Sequence, residues 1–369
     1  MQKREIEPSQ ALVKLYADGG GGTFKLGLGV INTENYFKEE GVKRNCYSQG
    51  ICPEIRKETS ANKTLIIGIV PDMKENYENC QTVWTKAGLS DLSYKLCADL
   101  KLLNIIVGLQ SNSSKHPCCF CNKRSDLEDF LFESGELRTL GSIRSSRDAW
   151  ILHGQKDLNL KEFDNCQHLP LIEGHDGTRI IDVCSIPELH IFQGCTNILW
   201  NNLSNRWGTE GWEPFLIKHG LFRAKYHGGE FEGPQCKRLL SLSDELRDDL
   251  PEHLRGFCDA FDALDVVSKS MFGKQLSWQF EEDLKTFKHY FVNLNISSRS
   301  TKLHILFSHV GNLCNETGFA LGLTSEQAGE SLHAKFAEVA RYRLPRDYNH
   351  HTYNSELMKI VLSYNQERI

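Results

Sequence analysis

No run of apolar residues in this chain reaches the roughly 18 residues that a membrane-spanning helix requires. The first ten residues, MQKREIEPSQ, are polar and no apolar core follows them, so no secretory signal is visible. Net positive charge is also missing, because 43 Lys and Arg face 48 Asp and Glu, which gives a formal charge of −5. These absences argue against a membrane protein and against one that binds nucleic acid through its overall charge.

The composition is that of an ordinary globular protein, with 40% hydrophobic and 25% charged residues. A length of 369 residues predicts roughly two to three domains. The 13 cysteines are an odd number scattered over a long chain, which favours free thiols and metal ligands over a disulfide framework. We expect most of them to be buried thiols.

Four β-rich apolar runs are typical of buried strands: residues 12–16, 23–31, 64–70 and 93–99. Four glycines, Gly19 to Gly22, separate the first two runs and predict an antiparallel hairpin. Residues 32–63 are polar and predict mainly loop. Residues 71–87 have helical spacing, whereas 100–110 fit a helix or a strand equally well.

The middle of the chain has a different character, because helical patterns dominate from about residue 130 to 295. Residues 161–179 predict a long loop. Two further helices, at 302–315 and 325–343, follow near the end. We therefore predict an α/β fold whose sheet is interrupted by a large helical insertion, with domains at 1–130, 131–298 and 299–369.

Two acids stand at the ends of predicted strands. Asp18 ends the first strand before the glycines, and Asp99 ends the strand at 93–99. If these strands are neighbours, the two carboxylates lie close together, which is costly unless a cation binds between them. The alternatives are a turn aspartate for Asp18 and a helix N-cap for Asp99.

A Cys-x-x-Cys pair, Cys118 and Cys121, and a distant His-x4-His pair, His304 and His309, have the spacing of zinc half-sites. Cys119 is a less suitable substitute, because adjacent or one-apart cysteines chelate a single ion poorly. The alternatives are reduced core thiols and ordinary helix positions. The long interval between the pairs means that only the fold could assemble such a site.

Glu330 lies on the helix predicted at 325–343, and Glu326 lies four residues earlier on the same face. Either glutamate can act as a third acid beside Asp18 and Asp99. The alternative is a solvated helix face, with Glu326 serving the helix N-terminus.

The order of these features along the chain resembles the RNase H-like catalytic core of DDE cut-and-paste transposases. The order is Asp18, Asp99, the Cys pair, a helical insertion, the His pair and Glu330. The pattern is most similar to the Transib group and the V(D)J recombination-activating recombinase, and CACTA and Chapaev transposases carry a related one. The likeness is at the level of motifs and extends from about residue 11 to 345. Ser331 and Phe336 behind Glu330 are also in register with the family.

The resemblance implies a catalytic triad of Asp18, Asp99 and Glu330 that holds two Mg²⁺ or Mn²⁺ ions, with Asp18 touching both. It implies a structural Zn²⁺ on Cys118, Cys121, His304 and His309 that ties the ends of the insertion to the sheet. The expected activity is DNA nicking followed by strand transfer, in the nucleus, on transposon ends and target DNA. A homodimer is possible in this family.

The sequence departs from the family in three places. The family's Gly-Asn-Lys segment is replaced by Leu332-His333-Ala334, and the interval from His309 to Glu330 is slightly longer, which keeps Glu326 as a rival. Family members also carry long DNA-end-binding segments before the first aspartate. We therefore expect a truncated or transposon-derived copy, with a catalytically inactive, zinc-stapled binding module as the alternative.

Contacts to DNA are expected mostly at phosphates, through Lys and Arg side chains near the predicted acids. The candidates are Lys101, Lys115, Lys123, Arg124, Lys335, Arg341, Arg343 and Arg346. The alternative for each is a solvated surface charge.

Overall fold

The computed structural model describes residues 11–19, 23–32, 63–89, 92–111, 113–224 and 229–367. The predicted loop at 32–63 therefore lies almost wholly outside the described residues, as do three of the four glycines after Asp18. The fold is mixed α/β, as predicted. None of the described helices combines the length and apolarity that crossing a bilayer would take.

The sheet has four strands in the order β3-β2-β1-β4. Their bounds are β1 Ala11–Asp18, β2 Thr23–Asn32, β3 Leu65–Pro71 and β4 Lys95–Cys97. The predicted hairpin is confirmed, since β1 and β2 pair antiparallel over eight residues, and β3 pairs antiparallel with β2. Strand β4 is parallel to β1, and a parallel bridge joins its Leu96 to Cys184. Two antiparallel pairs and one parallel pair make the sheet mixed.

The helices follow in chain order: α1 Tyr77–Lys86, α2 Leu100–Val107, α3 Leu140–Leu152, α4 Ile180–Val183, α5 Glu188–Trp207, α6 Thr209–Lys218, α7 Gly233–Leu240, α8 Ser243–Asp249, α9 Gly256–Val267, α10 Phe280–Asn293, α11 Thr301–Ile305, α12 Gly311–Thr317, α13 Gln327–Arg343 and α14 Tyr353–Gln366. Short 3₁₀ turns lie at Asp157–Phe163, Glu252–Leu254 and Leu321–Leu323. Two π-helical segments, Ser268–Phe272 and Leu306–Val310, interrupt the α-helical geometry.

Two helix starts differ from the predicted ones for a local reason. Helix α1 begins at Tyr77 rather than at 71, because Pro71 still belongs to β3 and Asn76 caps the helix by accepting from the Asn79 amide. The ambiguous segment at 100–110 is a helix, α2, that ends at Gly108 in the left-handed conformation with φ 84°.

The chain divides into two compact units. The first comprises Met1–Ser125, Ser134–Pro187 and Thr324–Ile369, and the second comprises Asp126–Glu133 and Glu188–Leu323. These units differ from the predicted boundaries at 130/131 and 298/299. Residues 134–187 group with the sheet, because bridges such as Leu96–Cys184 and Leu109–Cys166 tie them to the first unit.

In the first unit, α13 and α14 cover one side of the sheet. Their buried apolar residues form one cluster with the strand residue Ile66: Leu332, Phe336, Tyr353, Leu357, Ile360 and Tyr364. The side chain of Asn365 closes the edge of β3, since its amide accepts from the Ile66 N–H at 2.9 Å and donates to the Ile66 carbonyl at 2.8 Å. This pairing fixes α14 to the edge strand.

The second unit is built from helices around aromatic side chains. Trp200 of α5 is fully buried and packs edge-on against Phe231 with ring centroids 5.4 Å apart. A second aromatic group joins Phe287 and Phe291 of α10 to Phe307, with ring centroids 5.6 Å apart in both pairs. All 11 cysteines in the described part of the chain are buried, which confirms the expectation of buried cysteines for them.

Candidate functional site

The two predicted aspartates lie at the carboxyl ends of adjacent parallel strands. The register of β1 and β4 pairs Lys14 with Lys95, Leu15 with Leu96 and Tyr16 with Cys97. The last pair of this register is Tyr16 with Cys97, both buried, and each aspartate follows two residues after its member of that pair. Asp18 still belongs to β1, whereas β4 ends at Cys97 and Asp99 lies between β4 and α2.

Asp99 also caps helix α2, which was the alternative considered for it. Its Oδ1 accepts from the Leu102 N–H at 2.7 Å. The cap fixes the orientation of the carboxylate at the end of β4. A carboxylate has two oxygens, so capping through Oδ1 is compatible with cation binding through the other oxygen.

Lys25 is the cross-strand partner of Asp18 in the β1–β2 ladder. It is buried, and burial lowers its pKa to about 8, while the Asp18 carboxylate acts in the opposite direction. The ammonium group lies 5.6 Å from the centre of the Phe336 ring. The first predicted acid therefore has a positive charge beside it.

Helix α13, which carries the predicted third acid, packs closely on β1 and β2. A Cβ at Gly329 would lie 3.3 Å from the Cβ of Tyr16, and one at Gly27 would lie 3.2 Å from Leu332. Phe336, one turn further on, reaches Lys25. The helix thus runs from the level of Tyr16 towards the level of Asp18.

The two candidate glutamates differ in burial. Glu326 is 5% exposed and adds to the rise in the pKa of Tyr16, which burial of the phenol mainly causes. It acts in the same direction on the buried Cys97 thiol. Glu330 is half-buried, one helical turn further along α13.

The three acids are not gathered into one group. Within the described ranges, one set of three or more His, Cys, Asp or Glu side chains could hold a metal ion, and it contains no carboxylate. That set is Cys118, Cys121, His304 and His309. The structure therefore brings the predicted zinc ligands together and leaves Asp18, Asp99 and Glu330 as a looser arrangement.

The two cysteines lie in a turn that is locally well ordered. The Phe120 N–H donates to the Cys118 sulfur at 3.4 Å, and its carbonyl accepts from the Arg138 N–H at 2.9 Å. Cys121 bridges antiparallel to Leu137. An N–H donated to the sulfur favours a thiolate at Cys118, because it stabilises the charged form.

The first histidine is oriented by a carbonyl group. The Nδ1 of His304 lies 2.5 Å from the Phe130 carbonyl oxygen, and its ring stacks on the Phe130 ring at 4.6 Å. A carbonyl can only accept, so Nδ1 carries the proton and Nε2 keeps its lone pair for a metal. Histidine ligands in proteins are normally fixed in this manner.

The second histidine reaches the first because the helix is locally π-helical. In an α-helix, residues five apart differ by about 140° around the axis and face different sides. The segment Leu306–Val310 has i→i+5 geometry, which places His304 and His309 on one face. Their Nε2 atoms are 3.2 Å apart. The sequence predicted an ordinary helix here, so the π turn is a departure that the His-x4-His spacing alone could have signalled.

The four ligand atoms lie within 4.8 Å of one another, and all four side chains are buried. Tetrahedral Zn²⁺ binds thiolates at about 2.3 Å and imidazoles at about 2.0–2.1 Å, so ligand atoms 3–4 Å apart are what it requires. Burial raises the pKa of Cys118 well above its usual value, and Cys121 adds to the rise. A bound cation opposes both effects, because ligation requires the thiolate. The cluster could hold a metal such as zinc.

Comparisons with known proteins bear on part of this region. Residues 55–146 match the family described as Domain of unknown function (DUF8703). The match covers about a quarter of the chain and includes Asp99, Cys118 and Cys121, but neither histidine of the cluster. No curated protein matches the sequence.

Proposed function

We propose that this chain is the RNase H-like catalytic core of a DDE-type DNA transposase or recombinase. The observation that carries the proposal is the parallel pairing of β1 with β4 up to Tyr16 and Cys97, since Asp18 and Asp99 each follow two residues after that last pair. The strand order β3-β2-β1-β4, with a further parallel bridge at Cys184, supports it as well. So does the position in the chain of the longer part of the second unit, Glu188–Leu323, which follows the Cys184 bridge and ends before α13.

The acidic residues fit Mg²⁺ or Mn²⁺. Carboxylates are the hard oxygen ligands that these ions prefer, and neighbouring carboxylates repel unless a cation lies between them. Asp18, Asp99 and Glu330 would hold the ions. Bound divalent ions supply a nucleophilic water at neutral pH and neutralise charge on the scissile phosphate. The chain itself orients these ligands through the Asp99 cap and the packing of Gly329 on Tyr16.

Glu330 is preferred to Glu326 as the third acid. Glu326 is buried and acts electrostatically on Tyr16 and Cys97. These two residues precede the aspartates by two positions in their strands. Glu330 is half-buried and lies one turn further along a helix that advances towards Lys25, the partner of Asp18. A metal ligand must remain within reach of substrate, which favours the more exposed residue.

The Cys and His cluster has a structural role in this proposal. Four protein ligands fill the coordination of zinc and leave no position for a reacting water. The metal would therefore stabilise the fold and take no part in the cutting step.

The proposed substrate is DNA, which implies a nuclear location. With a net charge of −5, affinity for DNA must come from local cations and should weaken steeply with salt. Lys101 already contacts Glu75 in an exposed ion pair, which makes it a weaker candidate. Arg341, Arg343 and Arg346 are at least partly exposed on and just after the C-terminal end of α13 and remain candidates.

The test is nicking of supercoiled plasmid DNA by the purified full chain with Mn²⁺. We expect Asp18→Asn, Asp99→Asn and Glu330→Gln each to reduce nicking at least about 100-fold, because each removes one metal-binding charge at nearly constant shape. Glu326→Gln is the matched control and should retain activity. Equal nicking by wild type and Asp18→Asn would overturn the proposal.

A second candidate function is a zinc-stapled binding module without catalysis. The observation in its favour is that the four zinc ligands converge whereas the three acids do not. A folded, zinc-containing chain that binds DNA or protein but cuts no DNA at any Mn²⁺ concentration would support this candidate.

A further inference from the structure

Arg138 is a buried arginine that the sequence analysis did not single out. It is 3% exposed. Its Nε donates to the Cys118 carbonyl at 3.1 Å and to the Cys121 carbonyl at 3.0 Å. Its Nη2 donates to the Asp164 carbonyl at 2.9 Å, and its Nη1 lies 3.5 Å from the Cys166 sulfur. One guanidinium thus joins both ends of the Cys-x-x-Cys turn to residues 164–166.

The charge of Arg138 has no carboxylate partner among the residues that the structure describes. Its contacts are three carbonyl oxygens and one sulfur, and a guanidinium stays protonated in proteins. A buried charge is normally paired, because burial without a counter-charge is costly. The charge acts on nearby sulfurs, because it opposes the burial that raises the pKa of the Cys119 and Cys166 thiols. Two metal-bound thiolates would supply such a counter-charge.

We propose that Arg138 is the positioning residue of the metal centre, holding the Cys118–Cys121 turn in its ligating shape and balancing the thiolate charge. The inference rests on the zinc part of the proposed function and is independent of DNA cutting. Carbonyls directed at one guanidinium cannot rotate without losing hydrogen bonds, so the Cα positions of both cysteines are held. Another nitrogen of the same guanidinium, Nη1, also restrains Cys166.

Lysine could not fill this role. Arginine presents its donors in a rigid planar fork, whereas lysine presents one point charge on a flexible stem. A lysine at this position would reach one acceptor group while leaving other carbonyls without a donor. The charge would be kept and the geometry lost, which allows the two contributions to be separated.

The test measures zinc affinity of the full chain by competition with a chromophoric chelator. We expect Arg138→Gln to bind zinc about 10- to 100-fold more weakly than wild type, as is typical when an outer-shell partner of a metal ligand is removed. Arg138→Lys should fall between the two. Arg144→Gln is the matched control, because Arg144 lies on α3 and pairs with Asp176 at the surface, and it should bind zinc as wild type does.

Cobalt substitution provides a readout that a merely structural role would not change. We expect the thiolate-to-Co²⁺ charge-transfer bands of Arg138→Lys to shift or weaken, while those of Arg144→Gln stay as in wild type. Wild-type affinity and unchanged bands in both Arg138 variants would overturn the inference and leave the zinc site intact. A wild-type chain that binds neither zinc nor cobalt would overturn both. If Arg138→Gln does not fold, Arg138→Lys decides the matter.

Discussion

The Cys and His cluster and the acidic end of the sheet are two candidate metal sites of opposite character. In the cluster, four ligand atoms lie within 4.8 Å of one another. At the sheet end, Asp18 and Asp99 each follow the paired residues Tyr16 and Cys97 by two positions, yet the acids do not form such a group. The protein fold alone brings the Cys and His ligand atoms close together. Close approach of the carboxylates depends more on a bound cation.

The chemistry of the ligands explains this contrast. Thiols and neutral imidazoles carry no charge before metal binds, so protein hydrogen bonds can hold them close together, as the Phe130 carbonyl holds His304. Carboxylates carry like charges that repel at short distance. Close approach is therefore expected of the thiols and imidazoles, whereas the carboxylates are expected to lie further apart unless a cation binds between them.

Removing a zinc ligand should have the largest effect. We expect Cys121→Ser to abolish stoichiometric zinc binding. We also expect it to lower the free energy of unfolding by several kcal/mol, which is a large fraction of the stability of a typical domain, because a structural metal acts on folding. Zinc analysis and thermal unfolding measure both effects. Cys80→Ser, at a buried thiol in α1, is the control and should keep its zinc. Unchanged zinc and stability in Cys121→Ser would show that the cluster holds no structural metal.

Exchanging two neighbouring residues tests the π turn. In the double variant Ser308→His and His309→Ser, the composition is unchanged but the histidines are four apart. Ser308 donates to the Leu131 carbonyl at 3.2 Å and lies 3.5 Å from the Nδ1 of His304, which is the ring nitrogen that is not available to the metal. We expect zinc affinity to fall by more than the roughly 10- to 100-fold that follows loss of an outer-shell partner. Wild-type affinity in a chelator competition would mean that the segment is an ordinary α-helix.

The smallest effect concerns cation binding at the acids. A ligand that binds only the folded state stabilises it by RT ln(1 + [L]/Kd), which is about 1.4 kcal/mol at a concentration about ten times Kd. We expect Mg²⁺ to raise the stability of wild type by about that amount and to leave Asp18→Asn unaffected, as judged by chemical denaturation. Asp72→Asn is the control, because Asp72 is exposed with φ 52°, which asparagine tolerates. Equal stabilisation of all three proteins would place the Mg²⁺ site elsewhere.

The sequence predicted those features that short-range patterns encode. The glycines between the first two β-rich runs predicted the antiparallel hairpin. The apolar runs at 64–70 and 93–99 predicted the other two strands, β3 and β4. Cys-x-x-Cys and His-x4-His predicted the four residues of the cluster, because each half-site needs only local spacing. Asp18 ends β1 as predicted, whereas β4 already ends at Cys97 and Asp99 is the N-cap of α2.

Other features depend on contacts between distant residues and carry no local signal. Arg138 lies within an unremarkable segment, and its role emerges only when the turn at Cys118 folds against it. An N-cap role and the proposed catalytic role both call for an aspartate at position 99, so the sequence could not separate them, and the structure shows the cap. The grouping of residues 134–187 with the sheet likewise rests on isolated bridges between remote segments.

The amide of Asn365 imitates one residue of a neighbouring strand, since it gives Ile66 both a donor and an acceptor. Ile66 lies in β3, at the outer edge of the sheet. Such an edge otherwise offers its backbone to strands of other chains, and a single carboxamide occupies that position here. Its replacement by alanine would expose a template for intermolecular sheet growth, so the last helix protects the chain against self-association.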